Sequence, residues 1–218
     1  MQITWLGHSA LKIVGSRTIY VDPFLTGNPR ASLRIQDIDR ADIVVVSHDH
    51  GDHLGDSFVI CQQTGATLVA LHEIAVAAQE RKLKAEGMGI GGTLSVAGID
   101  ISLVPAFHSA GLGGTAAGIV IAMDGRTVYH AGDTGLTLEM QLVGEMYRPD
   151  IAFLPIDGRY TMTPRLAAKA VELLRVPRVV PIHYGTFPHI RSSPEEFRER
   201  VGSTSDVLIL QPGGMVEI

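Results

Sequence analysis

Three observations predict an α/β fold. Short apolar or alternating runs recur along the whole chain, the second half alternates such runs with amphipathic helical stretches, and groups of His and Asp stand just beyond buried runs. Strands and helices that each carry one apolar face bury those faces by packing in layers. A chain of 218 residues suits one large domain or two small ones. With no low-complexity linker in view, a single domain over 1–218 is expected.

The elements follow in order. Residues 3–6, 10–14 and 18–21 read as a meander of strands broken at Gly7 and at Gly15-Ser16. Residues 42–47 enclose Ile43-Val44-Val45-Val46, an apolar run without alternation and so a fully buried strand. Residues 54–63 and 73–86 read as helices, and 93–96, 99–104, 117–123 and 126–129 as strands. Gly98 and Asp124-Gly125 mark the turns between them, the second favouring a tight hairpin. A helix fits 136–146 and a strand 151–154. Thr163-Pro164 has the form of an N-cap with proline at the first helical position. Behind it, Leu166, Ala170 and Leu173 with Ala167, Val171 and Leu174 make an apolar stripe at helical spacing. A strand at 179–182 precedes Ser193-Pro194-Glu195-Glu196, whose spacing is that of a capping box. Strands at 207–210 and 215–218 close the chain, and the two halves share a similar order of strands and helices.

Hydrophobic residues make up 45% and charged residues 19%, enough apolar side chain for a sizeable core. The formal net charge is −5 and no basic stripe stands out, so nucleic acid is not an expected partner. Cys61 is the single cysteine, which rules out an intramolecular disulfide and suits a reducing cytoplasm. It reads as a small core residue. The opening MQITWLGHSA has no basic stretch leading into a long apolar one, so a secretory signal is not expected. No apolar run approaches the roughly 20 residues of a membrane-crossing helix, and no membrane association is expected. A homo-oligomer stays open, since nothing in the sequence identifies an interface.

The densest chemistry is SHDHGDH at 47–53, three histidines and two aspartates directly after the buried run. So many titratable groups beside a buried strand are costly unless paired or bound to metal. His48, His50, Asp52 and His53 offer nitrogen and oxygen donors suited to zinc or a similar divalent ion. Alternate residues leaving a strand point the same way, so His48 and His50 would grip one ion, with Asp52 and His53 turned toward a second. A two-metal site needs further ligands. His108 in PAFHS, Asp133 in YHAGDT and His183 in PIHYGT each follow a predicted strand, at the end of a sheet where sites are commonly built.

In that order, His48, His50, Asp52, His53, His108, Asp133 and His183 resemble the ligand set of the metallo-β-lactamase fold superfamily. The segments ITWLGHSALKI, VDPFLTGNP and RYTMTP are similar to those of its small metal-dependent hydrolase branch, itself similar to ascorbate-6-phosphate lactonase and more distantly to phospholipase D enzymes acting on N-acyl phosphatidylethanolamines. The resemblance implies a four-layer αββα sandwich. It assigns His48, His50 and His108 to one divalent ion and Asp52, His53 and His183 to another, zinc first and manganese or iron next, with Asp133 bridging. The implied activity is hydrolysis of a small ester, lactone or phosphorylated substrate by a hydroxide shared between the ions, with Asp52 and Asp133 as the catalytic carboxylates. A phosphodiesterase or nuclease on the same core, or a non-catalytic metal-binding or sensing protein, is the alternative. Asp133 stands where the best-studied β-lactamases carry cysteine, which argues against a β-lactamase. The presence of His50, where flavodiiron proteins usually carry a carboxylate, argues against a redox enzyme.

Other residues are candidates for supporting roles. His8 in LGHS and Asp22 in VDPF would lie beside the ligands or, for His8, touch substrate. The branch usually carries glycine at positions 157 and 163; Asp157 and Thr163 stand there, so Asp157 and Arg159 are expected to alter the pocket. Tyr184 and Thr186, and the segment 160–162, are candidate pocket walls, and 111–114 a candidate lid. His130 reads as structural, and His72 and His189 as surface residues.

Overall fold

The predicted meander forms, its second and third strands with the predicted limits and its first one residue longer at each end. In the computed structural model, which describes residues 1–111 and 114–218, strands β1 (Gln2–Gly7), β2 (Ala10–Val14) and β3 (Thr18–Val21) pair antiparallel. β3 then pairs in parallel with β4 (Ile43–Val45), β4 with β5 (Thr67–Leu71) and β5 with β6 (Ala85–Met88). The second half repeats this order. β7 (Thr93–Val96), β8 (Ile99–Pro105), β9 (Ala117–Met123) and β10 (Arg126–His130) run antiparallel, and β11 (Ile151–Pro155), β12 (Arg178–Ile182) and β13 (Asp206–Val207) continue in parallel. The last strand, β14 (Met215–Glu217), returns to β1, so two mixed seven-stranded sheets result. The β9–β10 hairpin turns at Asp124 and Gly125 with φ of 54° and 74°, the left-handed pair a two-residue turn needs.

Side-chain alternation sets the layers. In β11, Ile151 and Phe153 join the core shared by both sheets, while Ala152 and Leu154 join a second core beneath the helices of the C-terminal half. That second core packs α4 (Glu139–Tyr147), α5 (Pro164–Leu174) and α6 (Pro194–Val201) on the outer face of the second sheet. Ile60 and Cys61 of α2 (Ser57–Thr64) and Ile74 and Ala78 of α3 (His72–Glu80) pack against the first sheet. The result is the expected α/β sandwich. Thr163 caps α5, its hydroxyl oxygen accepting from the Leu166 N–H at 3.3 Å. Below the cap, Ala167, Ala170, Val171 and Leu174 are buried; each Val or Leu so buried contributes about 1.5–3 kcal/mol. Ser193 caps α6 through the Glu196 N–H at 3.1 Å, but the Glu196 carboxylate takes the Arg200 guanidinium rather than completing the box.

Four expectations need correction, the shortest being the strand expected over 207–210, which is β13 and ends at Val207. The helix expected over 54–63 is two helices, α1 (Gly51–Leu54) and α2, because Gly55 (φ 42°) lies against Pro23 and Phe24, where a Cβ would come within 2.6 Å of the Pro23 carbonyl. The helix expected over 73–86 ends at Glu80, the chain turns at Lys82 (φ 61°), and Ala85–Met88 is a strand. Thr67–Leu71, assigned no element from sequence, is a strand of the first sheet. Of the candidate lid at 111–114, residues 112 and 113 lie outside the described residues.

Candidate metal centre

β4 delivers the chain into the site. Asp22, just beyond β3, accepts from the Ser47 N–H at 2.8 Å and from its hydroxyl at 2.6 Å, which fixes the start of the 47–53 loop. His48 and His50 then lie on one side, with His48 Nε2 3.0 Å from His50 Nδ1. The single turn of α1 carries Asp52 and His53 to the other side. His53 Nδ1 is 2.7 Å from Asp22 Oδ2, which leaves its Nε2 facing the site.

The second sheet brings three more groups to the ends of β8, β10 and β12. Asp133 stands between the two sets. Its Oδ1 is 3.2 Å from His53 Nε2, and its Oδ2 is 3.5 Å from His108 Nε2 and 3.2 Å from His183 Nε2. Gly132 (φ 60°) permits this, since a Cβ there would meet the Ala117 carbonyl at 2.7 Å. His183 Nε2 also approaches Asp52 Oδ2 at 3.7 Å, while its Nδ1 lies 3.2 Å from Asp157 Oδ2 in ion-pair range. The donor atoms of His48, His50 and His108 lie within 4.8 Å of one another, as do those of His8, Asp52, His53 and His183, and those of His48, His53 and Asp133.

These residues fit divalent ions. His53 Nε2, His183 Nε2 and Asp133 Oδ1 are buried without an aligned hydrogen bond, although each has an oppositely disposed donor or acceptor close by. Buried polar atoms of this kind require a partner, and nitrogen and carboxylate donors converging from several directions match an ion better than each other.

The electrostatics are set by burial and by close pairing of carboxylates with imidazoles. Burial disfavours a charge on His53, but Asp133 and Asp22 outweigh it and push the imidazole up to about 10. Burial likewise opposes ionisation of Asp22, and His53 overcomes it, holding the carboxyl at about 2. Asp133, against the same burial, is held well below the carboxylate range by His183 and His53, and Asp52 is lowered by His183 and His8. Burial and neighbouring histidines instead lower His8 to about 4 and His48 to about 3.

The supporting candidates separate. His8 (φ 55°) is fully buried, its Nδ1 2.9 Å from Thr186 Oγ1 and its Nε2 3.1 Å from Asp52 Oδ2. Asp157 accepts from the Arg159 and Tyr160 N–H groups at 2.7 Å each and from the Thr161 hydroxyl, so it braces its own loop as well as facing His183. Arg159 turns its guanidinium to the Tyr160 ring and Tyr184 stacks on Trp5 at 5.6 Å; neither lines the cavity over the site. His130 is satisfied by the Ser9 carbonyl and the Gly132 N–H, a structural role. The cavity, about 450 Å³, is lined by ligand candidates and by Ser109, Tyr160, Phe187, His189 and Ile190. His189 is exposed, as expected of a surface residue, and also forms part of the cavity wall. Phe187, Ile190 and Ser109 carried no sequence signal beyond nearness to His183 and His108.

Fold and site together define a metal-dependent hydrolase of the metallo-β-lactamase fold. Residues 17–184 match the β-lactamase superfamily domain. The chain is 48% identical to a UPF0173 metal-dependent hydrolase of Methanopyrus kandleri and 46% identical to one of Thermococcus onnurineus, covering all of both proteins. It is also similar to the structure of a metallo hydrolase from Ignicoccus hospitalis, with a TM-score of 0.93 and 42% identity over 99% of this chain and 97% of that one. The chain belongs to the UPF0173 metal-dependent hydrolases of the β-lactamase superfamily.

Proposed function

We propose that the protein is a dinuclear hydrolase of a small ester, lactone or phosphorylated compound. The observation that carries this is the position of Asp133, whose two oxygens reach histidines of both sets. His48, His50 and His108 would hold one ion, Asp52, His53 and His183 the other, and Asp133 would touch both. Zinc suits the histidine-rich donors, and manganese or iron would be accepted. When bound, such ions supply a water that ionises near neutral pH and positive charge for the oxygen of the scissile group.

The chain's own groups do the rest. Asp22 and Asp157 face the Nδ1 atoms of His53 and His183 and so direct both Nε2 atoms inward. Asp52, whose side chain is 31% exposed in the cavity, is the carboxylate able to take a proton from water and return it to the leaving group. The open cavity favours catalysis over metal storage. The absence of a basic stripe favours a small substrate over nucleic acid, and the single buried Cys61 suits a cytoplasmic setting.

Metal content of protein purified without added metal, paired with a hydrolysis screen before and after chelation, tests this. About two ions per chain with chelator-sensitive turnover is the expected result. One tightly bound ion with full turnover would remove the dinuclear reading, and metal-independent turnover would remove the mechanism.

A further inference from the structure

The cavity has two unlike walls. One is the candidate metal centre. The other is built from Tyr160, Phe187, His189 and Ile190. The rings of Phe187 and His189 are nearly parallel, at 6° and 5.9 Å between centroids, and Tyr160 meets His189 edge-on at 86° and 5.8 Å. Phe187 also lies edge-on to His8 at 5.6 Å, so the ring wall begins beside the ligands and runs outward. Ile190 is buried at its base. Among the described residues no Lys or Arg lines the cavity. The neighbouring cation, Arg159, has its guanidinium 5.3 Å from the Tyr160 ring centroid and is not part of the lining.

A phosphate distant from the scissile bond would need an Arg, a Lys or an open helix N-terminus to replace its water. A flat apolar group needs only ring faces and edges. We infer that the cavity takes an uncharged ester or lactone carrying an aromatic or comparably flat apolar group, which lies on the Tyr160–His189–Phe187 wall while its acyl carbon faces the metal side. This rests on the hydrolase reading above and narrows it, removing compounds that carry a phosphate away from the scissile bond. Water adds to the acyl carbon, the acyl C–O bond breaks, and the proton goes to the released alkoxide oxygen.

The test uses the metal-loaded protein and three γ-butyrolactones that differ only in a phenyl, methyl or phosphomethyl substituent on the ring. Turnover is followed by acid release, and binding of the unreactive phenyl- and methyl-substituted lactams by calorimetry. The phenyl lactone is expected to exceed the other two in kcat/KM by at least about ten-fold, and the phenyl lactam to bind tighter than the methyl lactam. Tyr160→Ala and, separately, Phe187→Ala are expected to reduce the phenyl-over-methyl ratio about three- to ten-fold in both measurements. The Tyr160 ring meets His189 and the Arg159 guanidinium rather than His8, so its variant remains informative if Phe187→Ala disturbs His8. Preference for the phosphomethyl lactone, or a ratio that neither variant moves, overturns the inference and leaves the hydrolase reading standing. Tight Tyr160-dependent binding of the phenyl lactam without turnover of any ester or lactone would instead keep the aromatic wall and remove the ester and lactone reading of the proposed function. No turnover and no preference between the lactams would remove both.

Discussion

His8 Nε2 lies 3.1 Å from Asp52 Oδ2, and the opposite ring nitrogen lies 2.9 Å from Thr186 Oγ1. An ionised Asp52 only accepts, so His8 carries its proton on Nε2 and the Thr186 hydroxyl donates to Nδ1. The carbonyl of His8 meanwhile accepts from the His183 N–H at 3.0 Å and the Trp5 indole at 2.8 Å. One residue at the end of β1 thus ties the Asp52 turn to the His183 loop. With the two ions of the proposed function, His8→Ala is expected to weaken one metal equivalent about 10–100-fold and to spare the other. Competition with a chromophoric chelator resolves the two equivalents, and unchanged affinities would show that His8 does not position Asp52.

Asp22 is fully buried and bonded to Ser47 and His53 at once. Removing it leaves the buried His53 imidazolium with Asp133 as its remaining counter-charge and strips the Ser47 N–H and hydroxyl of their acceptor. Asp22→Ala is expected to cost about 3–5 kcal/mol in the metal-free state. Urea unfolding in the presence of a chelator measures it, and a loss below about 1 kcal/mol would mean water replaces the carboxylate.

Stability of the metal-free protein is expected to peak near pH 6.5. His53, raised to about 10, stabilises the fold fully below the ordinary histidine value, and that contribution is lost as pH rises toward 10. His8 and His48, lowered to about 4 and 3, are neutral when folded and protonated when unfolded, so stability also falls as pH drops below 6.5. Asp22, lowered to about 2, adds a further loss between its ordinary value near 3.8 and 2. Chemical denaturation at pH 4.5, 6.5 and 9 in chelator should give the highest midpoint at 6.5. A midpoint still rising at pH 9 would contradict the charged state assigned to His53.

Cys61 is buried between α2 and the first sheet, and burial pushes its thiol up to about 12. A thiol so placed is inert. Ellman's reagent is expected to label it only at the rate of unfolding, with full reaction in denaturant. Rapid labelling of the native protein would mean that α2 opens locally.

The candidate ligands were legible because each set opens one to three residues past a strand whose apolar run is plain, as His48 follows Ile43–Val45 and His183 follows Arg178–Ile182. The strand Ala85–Met88 was not. It contains Glu86 and Gly87, pairs on one side only, and owes its conformation to the parallel partner β5 rather than to its own side chains. The break at Gly55 depends on the backbone of Pro23 and Phe24, distant in sequence. His189 escaped notice for the same reason, since a loop histidine becomes a cavity wall only through rings placed by Phe187 and Tyr160.

The two sheets repeat one strand order, and the site draws on both, from His8 just beyond the first strand to His183 just beyond the twelfth. A chain emerging from the ribosome therefore exposes the SHDHGDH donors long before Asp133 and His183 exist to complete their shells. Metal captured at that stage would be held by partial sets in an unfolded segment, from which it exchanges freely. Durable loading would therefore require the second sheet to have docked on the first, so that occupancy of the centre would report that the two halves have closed.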